Sequence, residues 1–224
     1  TTLTKNSNGK LKLNDNDVRS ISLDKTGRIW IGTSNGINIW DKSLDSVIVY
    51  YPNIPLWKII QDKFGNMWCA TYGRGLLKYD IKLKSFHNYT HIPSQKNSIS
   101  SDYLRTVFED DDGLIWIGSD KGLDSFDPHN EVFTNISLKE AENSIISENS
   151  ITEICSDAKG GYFASSENGL YHYTPKNELL KVFRYDVTKP DGLPPGNLLH
   201  TVYKDNQNLL WVGTAAGGLC KMNL

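Results

Sequence analysis

A small set of aromatic and basic residues offers the best binding chemistry in this sequence. Indole and phenol rings can lie against the faces of sugars, and a guanidinium offers a forked donor to a carboxylate or sulfate. Taken singly, each such residue is also typical of a solvated or packing position, so the prediction depends on their convergence. The candidate binding residues are Arg19, Trp57, Tyr72, Arg74, Tyr103, Arg105 and His200.

Patterns for catalysis or metal binding are weak by comparison. The five histidines, at positions 87, 91, 129, 172 and 200, are scattered and belong to no Ser/His/Asp set. The acidic stretch at 109–113 lacks the spaced ligands of an EF-hand and is predicted to be a turn. Cys69, Cys155 and Cys220 have no metal-binding spacing and are predicted to be small buried side chains. The sequence therefore predicts no catalytic residue, metal or cofactor, although it leaves a glycosidase-like carboxylate pair open.

The candidate residues sit in a repeating frame. Five times an aspartate is followed six residues later by a large aromatic, and the aromatics are 38, 48, 47 and 48 residues apart. Periods of about 40–50 residues are typical of propeller blades. The pairs are Asp24 and Trp30, Asp62 and Trp68, Asp110 and Trp116, Asp157 and Phe163, and Asp205 and Trp211.

Each repeat is predicted to be a meander of four short antiparallel strands. Turn-forming Asp, Asn and Gly separate runs rich in Val, Ile, Trp and Tyr. The second strand is apolar on both faces, and a small residue follows the aromatic by two positions, which predicts interlocking between stacked blades. The blades are predicted to start near Val18, Leu56, Leu104, Ile151 and Leu199.

Strand reversal explains why the candidate residues should meet. In such a meander the turn between strands two and three and the connection between blades emerge at the same end of the sheet. Tyr72 and Arg74 lie in the first kind of loop of blade two, and Trp57 follows the short connection at 52–55. The sequence therefore predicts that these three side chains share one rim.

The ends of the chain are predicted to carry incomplete blades. Residues 9–13 are predicted to form a lone outer strand, and the last repeat stops after its third strand. The lone strand could complete the last blade and close a five-bladed ring, or the chain could be an arc of a larger ring. We expect residues 1–224 to form a single propeller region that is an arc of a seven-bladed ring.

Composition limits the partners. The net charge of −2 over 224 residues argues against a broad nucleic-acid footprint or a polybasic membrane surface. No run of ~18 apolar residues is present, so we expect no direct membrane insertion. The chain starts at Thr1 without a signal-peptide pattern, so we expect it to have been processed or excised from a longer protein.

The repeats resemble the regulator-type propeller repeats in the extracytoplasmic sensor region of bacterial hybrid two-component systems. The matching segments are VRSISLDKTGRIWIGTSNGI at 18–37 and LRTVFEDDDGLIWIGSDKGL at 104–123. This resemblance covers nearly the whole chain and implies a sensor with two seven-bladed propellers, a β-sandwich, a membrane helix and a cytoplasmic histidine kinase. Such sensors are commonly tuned to oligosaccharides. Only five repeats are present here, and repeat four departs from the pattern at Phe163.

Three function classes follow. The resemblance favours a periplasmic sensing segment of an inner-membrane receptor, with an oligosaccharide as ligand and neighbouring blades or domains as partners. A scaffold for protein interaction or homodimerisation is the first alternative, because propellers present broad rims. A glycan lyase or hydrolase is the second.

Overall fold

The computed structural model describes residues 2–7, 9–51, 53–136, 150–157, 159–186, 188, 193 and 198–223. These residues form nineteen β-strands. Among them there is no helix, and therefore none that could cross a membrane. The chain divides into two compact units, Thr1–Glu109 and Asp110–Leu224. The prediction of an all-β fold is confirmed, while the single propeller region and the seven-bladed arc stay predictions.

The first unit contains nine strands. β1 to β4 form one antiparallel sheet in chain order, and β5 to β8 form the next. The strands are β1 Val18–Leu23, β2 Ile29–Thr33, β3 Gly36–Asp41, β4 Ser46–Tyr50, β5 Leu56–Gln61, β6 Met67–Thr71, β7 Leu76–Asp80, β8 Ser85–Tyr89 and β9 Leu104–Glu109.

The second unit contains ten strands. The sheet orders within this unit are β10-β11-β12 for the third repeat, β13-β14-β15-β16 for the fourth, and β17-β18-β19 for the fifth. All five repeats start at the predicted residues. The strands are β10 Ile115–Ser119, β11 Gly122–Asp127, β12 Val132–Ile136, β13 Ile151–Ser156, β14 Tyr162–Ser166, β15 Gly169–Tyr173, β16 Leu179–Phe183, β17 Leu199–Lys204, β18 Leu209–Thr214 and β19 Leu219–Asn223.

An aspartate organises the turn before the second strand of each repeat. Asp24 Oδ1 accepts the backbone N–H groups of Thr26 and Arg28 at 2.9 and 3.1 Å. Gly27 completes the turn with φ of 85°, a conformation that side chains with a Cβ rarely adopt, as the sequence predicts. The equivalent left-handed positions are Gly65, Gly113, Gly160 and Asn208, with φ of 98°, 91°, 80° and 60°.

The six-residue spacing has a direct cause, because the same carboxylate accepts a hydrogen bond from the indole N–H of the aromatic. One aspartate thereby joins the turn to the buried ring. This bond fixes the ring in the core, and the sequence analysis did not foresee it. The Nε1–Oδ2 distances are 2.9 Å for Trp30 and Asp24, 2.9 Å for Trp68 and Asp62, 2.7 Å for Trp116 and Asp110, and 2.8 Å for Trp211 and Asp205.

Repeat four keeps this bond with a different donor. Phe163 has no N–H group, and His172 lies directly opposite it on β15. The imidazole stacks on the phenyl ring with centroids 4.1 Å apart, and its Nε2 lies 2.7 Å from Asp157 Oδ2. Because an ionised carboxylate only accepts, Nε2 carries the proton. The divergence of repeat four is therefore compensated within the same hairpin.

These hydrogen bonds lower the pKa values of three of the aspartate carboxyl groups. Burial raises the pKa of Asp24, but hydrogen bonds from Thr26 and Trp30 oppose it, and the net pKa lies below the ordinary value. The pKa of Asp157 is likewise lowered against burial, by the bond to His172. The pKa of Asp205 is lowered chiefly by the hydrogen bond from Trp211.

The core lies between consecutive sheets. In the first unit Trp30 and Ile37 of one sheet share a buried cluster with Leu56 and Ile59 of the next. A Cβ at Gly32 would lie 3.2 Å from both Leu56 Cβ and Ile59 Cδ1, so a small residue is needed at that position. The predicted interlock of a large ring beside a small neighbour is thus present between these two sheets.

Residues 9–13 differ from the predicted lone outer strand. Lys12 forms only an isolated parallel bridge with Thr4, and the Lys10 carbonyl accepts the N–H of Val47 in β4. Asn14 extends this contact through a bond from its backbone N–H to Asn38 Oδ1 at 2.9 Å. The segment therefore lies against the first sheet, where the Val47 N–H bonds to its backbone and Asn38 bonds to the residue that follows it.

Candidate functional site

The candidate residues at the start of the inner strands occupy β-bulges. The register of β1 on β2 shifts between Val18 and Ser20, and that of β5 on β6 shifts between Leu56 and Lys58. The bulged residues are therefore Arg19 and Trp57. In the second unit the same shift occurs at Thr152 and at His200. A bulge breaks the regular alternation of side chains between the two faces of the sheet and redirects one of them, which suits a position that faces a ligand.

Arg19 and Trp57 are in direct contact. The guanidinium carbon of Arg19 lies 4.3 Å from the centroid of the Trp57 ring, and that of Arg105 lies 5.9 Å from it. Asp17 holds Arg19 in place, with its Oδ2 at 2.9 Å from Nη2 and 3.2 Å from Nε. Cation–π attraction stabilises this stack. One face of the Trp57 ring is therefore covered by Arg19 and is not free to stack on a sugar.

Two tyrosines continue the cluster toward solvent. Tyr72 packs edge-on against Trp57 with ring centroids 6.4 Å apart, and Tyr103 packs edge-on against Tyr72 at 5.0 Å. Both tyrosine side chains are exposed. Arg19, Trp57, Tyr72, Tyr103 and Arg105 are hereafter called the aromatic–arginine cluster.

Backbone hydrogen bonds hold the loop that carries Tyr72. Its N–H donates to the Pro55 carbonyl at 2.8 Å, and Tyr72 forms an antiparallel bridge with Tyr103. The N–H groups of Gly73 and Gly75 both donate to the Asp102 carbonyl, at 2.9 and 3.0 Å. Gly75 has φ of 70°, and a Cβ there would collide with the Tyr89 carbonyl. The exposed tyrosines are thus presented by an ordered loop.

The indole of Trp57 carries a buried polar atom. The indole N–H of Trp57 is buried and has no hydrogen-bond acceptor among the described residues. A buried donor without an acceptor is unfavourable by about 1–3 kcal/mol, so its retention calls for an explanation.

Arg74 and His200 lie outside these contacts. The Arg74 side chain is exposed, and its charge acts on Tyr51, whose pKa is raised by burial and lowered in part by Arg74. His200 is exposed in the second unit. The structure thus brings together five of the seven candidates. The sequence analysis missed Asp17, although its position two residues before Arg19 could have suggested a local ion pair.

Other potential chemistry has structural explanations. Burial raises the pKa of the Cys69 thiol and raises that of Cys155 to about 12, so neither is a ready nucleophile. The carboxylate of Asp157 binds His172 as part of the core of repeat four. Within the described ranges no group of three or more His, Cys, Asp or Glu residues could hold a metal ion.

Two segments of the chain are similar to a known family of repeats. Residues 12–35 and 98–121 match the family model described as "Two component regulator propeller". These two segments are similar to two-component regulator propeller repeats. The resemblance predicted from the sequence is thereby confirmed. Among curated proteins, none matches the chain.

Solved structures agree on the fold. The extracellular domains of the hybrid two component systems BT3049 and BT4673 from B. thetaiotaomicron match at 22% identity, with TM-scores of 0.77 and 0.76. The matches cover 93% and 92% of this chain, which spans only 28% and 27% of those domains. Virginiamycin B lyase from Staphylococcus aureus matches with a TM-score of 0.65 at 14% identity, over 93% of this chain and 70% of the lyase. At these low identities the TM-scores show a shared propeller fold and no more.

Proposed function

We propose that this chain is part of the ligand-sensing propeller of an extracytoplasmic two-component receptor. In this proposal it binds an oligosaccharide through the aromatic–arginine cluster and signals to a histidine kinase elsewhere in the same receptor. The regulator-type repeats and the fold of the extracellular domains support the sensor role. The observation that carries the binding role is the ordered, exposed pair Tyr72 and Tyr103 beside the arginines stacked on Trp57.

In this proposal the residues of the cluster have different tasks. Tyr72 and Tyr103 expose ring faces and edges that could lie against a pyranose ring. Arg19 is stacked and paired with Asp17, so its orientation is fixed before a ligand arrives. A fixed guanidinium loses little conformational entropy on binding. Trp57 acts behind these groups as the support for Arg19.

Two alternatives remain. An interaction scaffold would use the same exposed aromatic rings to contact a protein, since tyrosine and arginine are enriched at the centre of interfaces. A lyase or hydrolase has support only from the fold shared with virginiamycin B lyase, and fold alone does not carry function.

Isothermal titration with neutral, uronate-containing and sulfated oligosaccharides tests the proposal. At least one class should bind, and Trp57→Ala should weaken that binding by about 1–3 kcal/mol without a matching loss of stability. Arg74→Ala should weaken it by a similar amount if the ligand extends past Tyr72. Phe64→Ala is the matched control, because this exposed aromatic lies in the turn at the other end of β5.

The outcomes separate the three functions. Equal affinity in the wild type and in Trp57→Ala would place the binding site elsewhere. Absence of binding by every oligosaccharide class would favour the scaffold. Release of shortened or unsaturated sugar products during the incubation would favour an enzyme.

A further inference from the structure

Arg19 has hydrogen-bond donors that its bonds to Asp17 do not use. Its Nε and Nη2 both donate to a single oxygen, Asp17 Oδ2, at 3.2 and 2.9 Å. A guanidinium has five N–H groups in a fixed plane, so three remain, two on Nη1 and one on Nη2. Within the described part of the chain, none of these three has an acceptor.

The remaining donors of Arg19 are arranged for an anion. Asp17 takes the edge of the guanidinium between Nε and Nη2. The edge between Nη1 and Nη2, hereafter the end edge, presents two parallel N–H groups, which pair well with the two oxygens of a carboxylate. Trp57 contacts the guanidinium through its ring face, so it offers no oxygen to these donors. Arg19 thus keeps a two-donor edge while Asp17 and Trp57 hold its orientation.

A second guanidinium lies near the same indole. The guanidinium carbon of Arg105 is 5.9 Å from the centroid of the Trp57 ring, compared with 4.3 Å for Arg19. Like charges held beside one ring repel each other, and a negative group bound between them lowers the energy of that arrangement. The charges of the aromatic–arginine cluster therefore favour an anionic ligand over a neutral one.

The exposed tyrosines complete the chemistry of one kind of sugar. Trp57 contacts Arg19 on its face and Tyr72 at its edge, and Tyr103 continues from Tyr72. An aromatic ring can lie against the apolar face of a sugar ring, whereas a guanidinium binds a carboxylate. A uronate unites both partners, because its sugar ring carries a carboxylate directly.

We propose that the aromatic–arginine cluster selects a uronate-containing oligosaccharide. This inference rests on the proposed function and narrows its ligand to an acidic sugar. The uronate carboxylate binds the end edge of Arg19, and its sugar ring lies against Tyr72 or Tyr103. Arg105 adds attraction through its charge. Asp17 has two opposed effects, since it orients Arg19 but repels the ligand.

Titration with matched acidic and neutral ligands tests the need for charge. The probes are oligogalacturonate, oligomannuronate and hyaluronan oligosaccharides, each beside a neutral counterpart whose carboxylates have been reduced to alcohols. At least one acidic probe should bind about tenfold or more tightly than its counterpart, because hydrogen bonds to a charged group are the stronger ones. Sulfated maltotriose tests whether another anionic group serves equally.

Arg19 variants test the end edge. Arg19→Gln removes the charge and should weaken binding of the acidic probe by about tenfold or more, with its neutral counterpart unaffected. Arg19→Lys keeps the charge but loses the paired donors, so it should also weaken binding of the acidic probe. Circular dichroism of both variants establishes that they are folded.

Asp17→Asn separates charge from positioning. The amide keeps an oxygen that can accept from Arg19 but removes the negative charge. Affinity for the acidic probe should rise about threefold, the effect of one unit charge roughly 7 Å away in water, whereas the neutral probe should bind as before. Asp45→Asn is the matched control, because it removes the same charge from the exposed turn between β3 and β4, at the other end of the first sheet. It should leave both affinities unchanged.

The outcomes distinguish this inference from the proposed function. Equal affinity for the acidic and neutral probes, with binding still lost in Tyr72→Ala, would overturn the inference and leave the proposed function intact. Absence of binding by every probe would overturn both. Tighter binding of sulfated maltotriose than of every uronate would overturn the choice of a carboxylate. Weaker binding of the acidic probe by Asp17→Asn, or an equal gain in Asp45→Asn, would contradict a carboxylate beside Arg19.

Discussion

The donor of the hydrogen bond to the turn aspartate can be exchanged, from the indole of a tryptophan to the imidazole of a histidine. In the second repeat, Trp68 is fully buried and donates to Asp62, and Lys78 lies directly opposite it on β7. Repeat four performs the same task with a phenylalanine and a histidine at these two positions. We therefore predict that Trp68→Phe destabilises the protein and that adding Lys78→His restores part of the loss.

The magnitude follows from the contacts. A hydrogen bond to a charged group contributes about 1.5–3 kcal/mol. Asp62 Oδ2 keeps a second donor, Asn66 Nδ2 at 2.9 Å, so the lower end of that range applies. The smaller ring leaves a cavity that adds about 1 kcal/mol. We expect Trp68→Phe to reduce the free energy of unfolding by roughly 2–3 kcal/mol, and the double variant to regain about 1 kcal/mol.

Urea denaturation followed by far-ultraviolet circular dichroism measures both effects. Lys78→His alone is the matched control and should stay within about 0.5 kcal/mol of the wild type, because Lys78 is only partly buried. A single Phe variant as stable as the wild type would refute the role of the bond. A double variant no more stable than the single variant would refute the equivalence of the two repeats.

Three further predictions concern stability. Trp116→Ala should reduce the free energy of unfolding by about 3–5 kcal/mol, because the ring packs 4.6 Å from Tyr162 and a cavity would remain; an unchanged urea midpoint would contradict this. Gly27→Val should lose about 1–2 kcal/mol at its positive φ, whereas Gly27→Asn should lose less, as Asn208 shows; equal melting temperatures would indicate another turn geometry. Because the folded-state pKa of Asp24 lies below the ordinary 3.8, its stabilising contribution is present above that pH and lost as pH falls through the lower folded value. Thermal midpoints should thus decline below about pH 4, and constant midpoints down to pH 2 would contradict the shift.

Periodicity made most of the fold predictable. The first strands start at the predicted residues in all five repeats, because alternating apolar runs and glycine turns are local signals. The 9–13 segment was wrongly predicted as a strand, since its contacts, Thr4 with Lys12 and Val47 with Lys10, are isolated and leave no pattern in the sequence. The constant spacing of Asp24 and Trp30 was visible, yet a spacing alone does not show that the two side chains bond.

The candidate site was only partly predictable. Strand reversal correctly places Trp57 and Tyr72 together, because that argument needs only topology. The stacking of Arg19 on Trp57 depends on β-bulges, and a bulge cannot be distinguished in sequence from a regular strand residue. Arg74 is on the predicted loop, but the direction of a long exposed side chain is set by its surroundings and not by strand order.

Hydrogen–deuterium exchange with and without a saturating oligosaccharide tests the central claim most directly. Binding at the aromatic–arginine cluster predicts slower exchange in residues 71–75 and 101–105, which carry Tyr72, Tyr103 and Arg105. The turn at 62–66, at the other end of the same sheet, should exchange as it does in the free protein. Protection confined to the second unit, with residues 71–75 and 101–105 unchanged, would contradict the account.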